Sequence, residues 1–285
     1  MGEGWTRGGL LVVAFAAACE RETNEPSPAR SASAPALPAL VSAPTRPPPC
    51  RALRVEGEAL TDAGRVSDMA AIDGRSWVTL AAGAELVVRH GPSAREFSLH
   101  GPGRFLPCRG GIEQVLTATG TVKSSMGTGV RPGADFSIAT PFGSVSYGDA
   151  DLESSVEPAA WRLEVRRGEA ATQAVPGTRG LPGAALSGPN GNATVSGTPL
   201  PAMLVENCKS AAREAAESAD RVLSAKDKAA LGRDAALQLA ARRRARAACA
   251  SAEAGLDRER DEAHKDRLKQ QVLDAERLWR TIPLR

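Results

Sequence analysis

The stretch DFSIATPFGSVSYGDA, residues 135–150, decides the fold because it contains two clear strand signals with a turn between them. Apolar and β-branched residues alternate with small ones, first at Phe136, Ile138 and Thr140 and then at Val145 and Tyr147. This alternation predicts two strands that each bury one face. Pro141 cannot donate to a β-ladder and ends the first strand, and Gly143 permits a tight turn. Gly148 and Asp149 then break the second strand.

The same stretch resembles the core motif of the FecR-type periplasmic domain, a family named after a regulator of iron-dicitrate signalling. That motif has an aromatic residue, a hydrophobic residue, Thr-Pro, Gly and Val in a fixed order, followed by Gly and a small or polar residue. The matching residues are Phe136, Ile138, Thr140, Pro141, Gly143, Val145 and Gly148. The family then has a strand ending in Gly and a short valine-rich strand, which residues 163–170 match with Gly168.

The resemblance covers about residues 77–188 and is closest over residues 133–170. It departs at Asp149 and Ala150, where the family usually has Thr followed by an aromatic residue. The resemblance implies a β domain of the bacterial periplasm, and the name of the family suggests a role in signal transduction.

Short alternating runs separated by glycine recur over residues 54–196. In the clearest of them, Trp161, Leu163 and Val165 share one face and charged residues occupy the other. Many short strands with frequent turns predict an all-β domain over residues 50–198, sandwich- or solenoid-like. The run has no intervening helical patterns, which argues against a parallel α/β sheet. Asn190 followed by Gly191 predicts a hairpin turn near its end.

After Pro201 the hydrophobic period becomes that of a helix, which predicts an α-helical region over residues 199–285. It consists of a helical hairpin and a third helix, with a break at residues 224–227 and another at Gly255. The predicted buried faces are Leu204, Cys208, Ala211, Ala215, Ala219 and Val222; Leu237, Ala241, Ala245, Cys249 and Ala252; and Leu268, Val272, Ala275, Trp279 and Ile282. Faces made mainly of alanine allow close packing but bury little area.

Residues 1–18 have the pattern of a signal peptide, with an apolar run too short to span a bilayer. Small residues precede Cys19, as in a bacterial lipobox. This pattern predicts that Cys19 is acylated, becomes the new N-terminus and attaches the protein to a membrane. Ordinary secretion with cleavage before Cys19 is the alternative. Glu20, where an Asp would signal retention in the inner membrane, favours an outer-membrane lipoprotein that faces the periplasm.

Residues 19–49 are rich in Pro, Ala and Ser and show no apolar period. Such a segment cannot bury enough apolar surface to become ordered. Proline-rich chain is extended, so roughly 30 residues at ~3.1 Å each would span about 90 Å. We therefore expect a disordered linker that holds the folded region away from the membrane, and we expect no transmembrane helix elsewhere.

Four of the five cysteines follow Cys19. In an oxidising compartment their positions predict a Cys50–Cys108 disulfide within the β domain and a Cys208–Cys249 disulfide across the helical hairpin. The second bond would close a loop of about 40 residues and stabilise the fold by roughly 4 kcal/mol in the chain-entropy description.

His90 and His100 are the candidate metal ligands of the β region. If the strands around residues 91–94 form a hairpin, His90 faces Arg95 and His100 faces Glu85, so the imidazoles lie at opposite ends. No third ligand is suggested by the sequence. We therefore interpret both histidines as surface residues and expect no metal and no cofactor.

The remaining polar clusters have similarly plain interpretations. Lys123 and the two serines after it lack the spacing and the following helix of a phosphate loop, so we interpret them as a loop between strands. Asp149 and Asp151 are interpreted as solvated turn residues. The basic run Arg242, Arg243, Arg244 and Arg246 is interpreted as a solvated helix face, and the net charge of +3 is too small to indicate nucleic acid.

These expectations combine into a non-enzymatic lipoprotein of the cell envelope, attached to the membrane through Cys19, whose FecR-like domain binds a protein, a glycan or another envelope component. The alternative is a signalling regulator of the FecR type that acts in a sigma-factor pathway. Relatives of that kind have a cytoplasmic helical N-terminus and a membrane-spanning segment, and this sequence shows neither pattern.

Replacement of Cys19 by Ser is expected to remove the lipid and release the protein from the membrane fraction, because the thiol is the acylated group. Membrane fractionation compares the two proteins, and mass spectrometry identifies the N-terminal peptide of the protein with Cys19 intact. In that protein, an unmodified peptide that still begins at Met1 would contradict the prediction.

Overall fold

The computed structural model describes residues 50–91, 94–109, 113–125, 136–180, 185–188, 191–224 and 228–280. The predictions for the signal peptide, Cys19 and the linker fall on residues 1–49 and lie outside the described residues. The strands and helices described below belong to one unit that spans residues 46–285.

Within the described residues, the β region is a single 13-stranded sheet of mixed orientation. Its strands are β1 Cys50–Glu56, β2 Ala59–Thr61, β3 Gly64–Arg65, β4 Ala71–Ile72, β5 Val78–Leu80, β6 Glu85–His90, β7 Glu96–Leu106, β8 Gln114–Ser124, β9 Phe136–Thr140, β10 Gly143–Val156, β11 Ala160–Ala174, β12 Ala185–Ser187 and β13 Gly191–Ser196. The helices are α1 Pro201–Ser224, α2 Lys228–Gly255 and α3 Glu262–Arg280, with a 3₁₀ turn at Leu256–Arg258. A β region followed by three helices is the order that the sequence predicts.

Four long strands, β7, β8, β10 and β11, connect the sheet because each changes neighbours along its length. The start of β7 pairs with β6 and its end pairs with β5, while β8 lies along its other side. β8 pairs with β10 at one end, and β9 lies between them at the other, parallel to β8. β11 follows β10 throughout and pairs with β13 and then β12 on its outer edge. The strands at the centre of the sheet are therefore longer, and fewer, than the strands predicted from the short alternating runs of the sequence.

The deciding stretch folds as strand, turn and strand. Thr140 closes the turn, since its hydroxyl accepts a hydrogen bond from the Phe142 amide and donates one to the Gly143 carbonyl. The break predicted at Gly148 and Asp149 is wrong: β10 continues through them. Tyr147 pairs with Ala170 and Ala150 with Gly168, so β10 contains one extra residue and forms a bulge there.

Strand β9 is buried on both faces, although its alternation predicts only one buried face. Phe136 and Ile138 point into the main core. Ala139 packs on the other side with Leu106, Leu116 and α2 residues. The small residues between the large ones in β9 therefore make room for a helix, which explains why they do not face solvent.

The hairpin of β6 and β7 has the predicted register, with Glu85 opposite His100 and the His90 amide bonded to the Arg95 carbonyl at 2.8 Å. His100 is partly exposed. The surface interpretation of His90 is wrong, because its exposure is 0%. β1 pairs along the other edge of β6 and brings Cys50 opposite His90, and the Phe136 ring lies 6.1 Å from the imidazole.

The predicted hairpin at Asn190 and Gly191 does not form between the flanking strands. β12 and β13 both run antiparallel to β11, so they are successive segments of one edge. Asn190 itself lies outside the described residues.

The helices bury the predicted faces with few exceptions. Leu204, Cys208, Ala245 and Cys249 are among the residues in the helical core, and Trp279 closes it. Leu237 is wrong as a buried residue, since 55% of it is exposed, and Ile282 lies outside the described residues. The structure pairs Cys50 with Cys108 and Cys208 with Cys249, the same two pairs that the sequence predicts, with Cα–Cα distances of 5.9 and 4.4 Å.

The helices are fixed to the sheet by a buried guanidinium. Arg109 follows β7 and is 4% exposed. Its Nε donates to the Glu253 carboxylate of α2 at 2.6 Å, and its Nη2 donates to Glu276 of α3. Glu276 also pairs with Arg280 at 3.1 Å. Burial alone would lower the pKa of Arg109, but the two carboxylates raise it above its ordinary value, so the group stays charged.

Replacing Arg109 by Met is expected to lower the free energy of unfolding by about 3–5 kcal/mol, because it leaves the Glu276 carboxylate buried without its strongest partner. Urea denaturation measures the change. The matched control is Arg277→Gln, which removes an exposed pair with Asp274 and should change stability by at most about 1 kcal/mol. Equal losses in the two variants would contradict this role of Arg109.

Candidate ligand-binding groove

A groove of about 480 Å³ opens between α2 and the face of the sheet formed by β9–β12. A row of small side chains crosses its floor. Ser137 on β9 lies opposite Ser146 on β10, which lies opposite Ala171 on β11, and Ala171 lies opposite Ala185 on β12. Since neighbouring strands are about 4.8 Å apart, this row spans about 14 Å.

The floor continues in a second row one step along the strands. Ser144 on β10 lies opposite Gln173 on β11, and both line the groove. Ser144 is buried at 3% exposure, whereas Ser146 is exposed. Hydroxyl and amide groups both donate and accept hydrogen bonds. The two rows therefore combine small alanine side chains with hydroxyl and amide groups.

Helix α2 supplies the basic wall. Arg243 and Arg246 lie one helical turn apart and both line the groove, together with Ala247. Arg243 is exposed, whereas Arg246 is partly buried and donates through Nη2 to the Glu113 carbonyl at 3.0 Å. The interpretation of this basic run as a purely solvated face is therefore wrong for Arg246. Arg244 projects elsewhere and pairs with Glu214 of α1.

The acidic side of the groove is Glu169 on β11. Glu169 is exposed and lies two residues before Ala171, on the same face of the strand. Within the described residues that line the groove, it is the one carboxylate. The groove thus has two guanidinium groups on its helix and a single carboxylate on the sheet.

Gln114 connects the groove to the buried Arg109 cluster. Its side chain lines the groove at 1% exposure. Its amide nitrogen donates to the Ser137 hydroxyl at 3.2 Å, and its oxygen accepts from Arg109 Nη1 at 3.4 Å. The interaction that fixes the helices on the sheet therefore also orients one side of the floor.

The rim at the β10 bulge is held by Arg95. Its guanidinium carbon lies 5.3 Å from the centre of the Phe136 ring and 5.2 Å from that of the Tyr147 ring. The Arg95 Nη2 donates to the carbonyl of Gly148, which lines the groove. Burial raises the pKa of Tyr147 well above its ordinary value, so its hydroxyl stays protonated between these groups.

Most residues of the family motif lie outside the groove. Phe136, Ile138 and Val145 belong to the main core. The turn at Pro141 and Phe142 faces the helical region, where Arg258 stacks on the Phe142 ring at 4.6 Å. Gly168 lies at the bulge, and only Gly148 contributes to the groove within the described residues.

Two other polar interpretations need correction. Lys123 and Ser124 belong to β8 and do not form a loop, because the strand extends to Ser124. Asp149 and Asp151 lie in β10, and Asp151 pairs with Arg167 of the neighbouring strand at 3.0 Å. No group of three or more potential metal ligands from His, Cys, Asp and Glu occurs in the part of the chain that the structure describes.

The groove itself was not predicted. Its floor comes from strands that are distant in sequence, and small residues carry no distinctive motif. Two signals point toward it in retrospect: Ser144 and Ser146 share one face of β10, and Arg243 and Arg246 share one face of α2. Either signal alone is also typical of an ordinary exposed surface.

Comparison with known proteins found no matching family model, no matching curated protein and no matching solved structure. Among the described helices, none is long and apolar enough to cross a membrane.

The two motif glycines of β10 are expected to respond differently to alanine. Gly143 has a φ of +151°, and a Cβ there would collide with the Gln173 carbonyl oxygen, so Gly143→Ala should destabilise the protein by more than about 1 kcal/mol. Gly148 has open space at its Cβ position, and Gly148→Ala should stay within about 0.5 kcal/mol. Thermal unfolding compares the stability of the two variants. A larger loss of stability in Gly148→Ala than in Gly143→Ala would contradict this prediction.

Proposed function

We propose that this protein is a membrane-anchored lipoprotein of the bacterial envelope that acts by binding, and that the groove between α2 and the sheet holds a protein or glycan component of the envelope. The observation that carries the proposal is the composition of the groove. Arginine, serine, threonine and glutamine side chains line a concavity of about 480 Å³, within the range of about 300–1,000 Å³ that ligand sites have.

The same composition supports binding without chemistry. Hydrolysis of a glycosidic bond needs two carboxyl groups that flank the scissile bond. Glu169 is the single carboxylate among the described groove residues, and Arg243 and Arg246 do not serve as proton acceptors because guanidinium groups stay protonated. The groups present can orient a ligand and neutralise its charge.

The location follows from the N-terminal sequence. A lipid on Cys19 would anchor the chain in the outer membrane, and residues 19–49 would hold the folded unit in the periplasm. The adjacent cysteine pairs Cys50–Cys108 and Cys208–Cys249 support an oxidising compartment, since disulfides persist there.

The FecR-type resemblance is part of the proposal. Its sandwich- or solenoid-like closure is supported by the contact between Phe97 on β7 and Phe136 on β9, whose ring centres are 5.5 Å apart. These strands are not neighbours in the sheet, so side chains of the two regions meet across one core. In this arrangement the outer face of β9–β12 is available to α2 and to a ligand.

Site-specific photocrosslinking tests the proposal in intact bacterial cells that make the protein. A photoreactive residue at Ala171, on the groove floor, should yield a discrete adduct with an envelope component. The same residue at Arg162, exposed on β11 and outside the lining of the groove, should not yield it.

The charge of the groove provides a second control. Arg243→Glu should abolish the Ala171 adduct because it reverses the charge of the wall, whereas Arg244→Glu, outside the groove lining, should preserve it. Absence of an adduct at Ala171, or equal adducts at Ala171 and Arg162, would refute the proposed function.

A further inference from the structure

The groove has opposite charges at its two sides, with an uncharged floor of small Ser and Ala side chains between them. Arg243 and Arg246 stand on α2, which packs against β8, β9 and β10. Glu169 stands on β11, which is two strands beyond β9. Two strand spacings amount to about 10 Å. Arg246 is held beside β9, because it donates to the Glu113 carbonyl, which also accepts from the Ser137 amide. A ligand that contacts both Arg246 and Glu169 therefore needs an anionic group and a cationic group on the order of 10 Å apart.

The floor defines what lies between the two charges. The floor residues are small, namely Ser137, Ser146 and Ala171. They do not form separate pockets that would hold large side chains of a ligand. The hydroxyl groups and the Gln173 amide can both donate and accept hydrogen bonds, which matches the N–H and C=O groups of a peptide backbone. An extended peptide advances about 3.4 Å per residue, so three residues span about 10 Å.

We propose that the groove binds a short zwitterionic peptide with small side chains. Its free carboxylate lies against Arg243 and Arg246, its amides lie on the Ser and Gln side chains of the floor, and its ammonium group lies against Glu169. This inference rests on the proposed function, because it names the class of ligand that the same groove holds.

The opposite charge of Glu169 makes this ligand a better fit than a simple anion. A site for phosphate or an acidic polymer gains nothing from a carboxylate on the far side of the floor. The floor also lacks exposed aromatic rings within the described lining, where Tyr147 is 3% exposed, so stacking on the flat face of a sugar is not supplied there.

Isothermal titration calorimetry of the full chain with trialanine tests the proposal, with the C-terminal amide and the N-acetyl derivative as matched ligands. Trialanine should bind, and removal of either terminal charge should weaken binding about tenfold or more, since each loses a charge-assisted contact. Inorganic phosphate should bind more weakly than trialanine.

Four variants assign each charge to its partner. Arg243→Gln should weaken trialanine binding about tenfold and should reduce the preference for the acid over the amide, of which Arg246 retains a part. Glu169→Gln should abolish the preference for the free amine over the N-acetyl form. The controls are Arg244→Gln on α2 and Glu164→Gln on β11, which are exposed and outside the groove lining and should change neither preference.

Loss of affinity without a reduced preference in Arg243→Gln would overturn the assignment, because a general disturbance of the groove weakens acid and amide alike. Undetectable binding of trialanine, or equal binding of trialanine and its amide, would also overturn it. If phosphate bound more tightly than trialanine, the groove would be an anion site and the peptide proposal would be wrong. Any of these results together with a specific Ala171 adduct refutes only this ligand class, whereas loss of that adduct refutes the proposed function itself.

Discussion

The placement of the helices on the sheet depends on the buried guanidinium of Arg109. Arg109 leaves the end of β7 and contacts one carboxylate on α2 and one on α3, so it fixes two helices to the sheet with one side chain. The alanine-rich helical faces bury little area each, and they do not by themselves define where the helices lie. A charge that must be paired inside the protein imposes a much narrower choice of position, because displacement of either helix would break one of the two ion pairs of the buried guanidinium.

The turn between β9 and β10 provides the second point of contact. Thr140 rigidifies it through two hydrogen bonds, and Phe142 presents its ring to Arg258 in the connection between α2 and α3. The stretch that covers β9 and the start of β10 is therefore mainly structural. It builds the core of the sheet and a surface on which the helices rest, while only Gly148 of the motif reaches the groove within the described residues.

Local features were predictable from the sequence because they depend on neighbouring residues. The turn at Pro141, the register that places Glu85 opposite His100, and the end of α2 at Gly255 all follow from short-range rules. Features that depend on distant segments were not predictable. His90 is buried because it continues the inward face of Leu86 and Val88 and lies beside the Phe136 ring of β9, and β9 is buried on both faces because α2 lies over it.

Other differences between the sequence predictions and the structure occur at residues whose sequence signal fits more than one local structure. A glycine within a strand is compatible with a break or with a bulge, and at Gly148 the pairing of β11 on both sides decides for a bulge. The groove is the extreme case, since it needs four strands and a helix to be in place before its small and charged residues define a site. Serine and alanine residues carry no sequence signal that indicates which other side chains they contact in the folded protein.

The groove is built from two kinds of secondary structure: strands form its floor and helix α2 forms its wall. Arg243 is exposed and can change without disturbing the hydrogen bonding of the sheet, whereas Arg246 donates to the Glu113 carbonyl, which also accepts from the Ser137 amide of β9. Proteins that share this sheet but differ along the exposed face of α2 would have the same groove floor with different side chains on the wall. The exposed side chains of this face of α2, Arg243 among them, can therefore vary while the strands that form the floor keep their pairing.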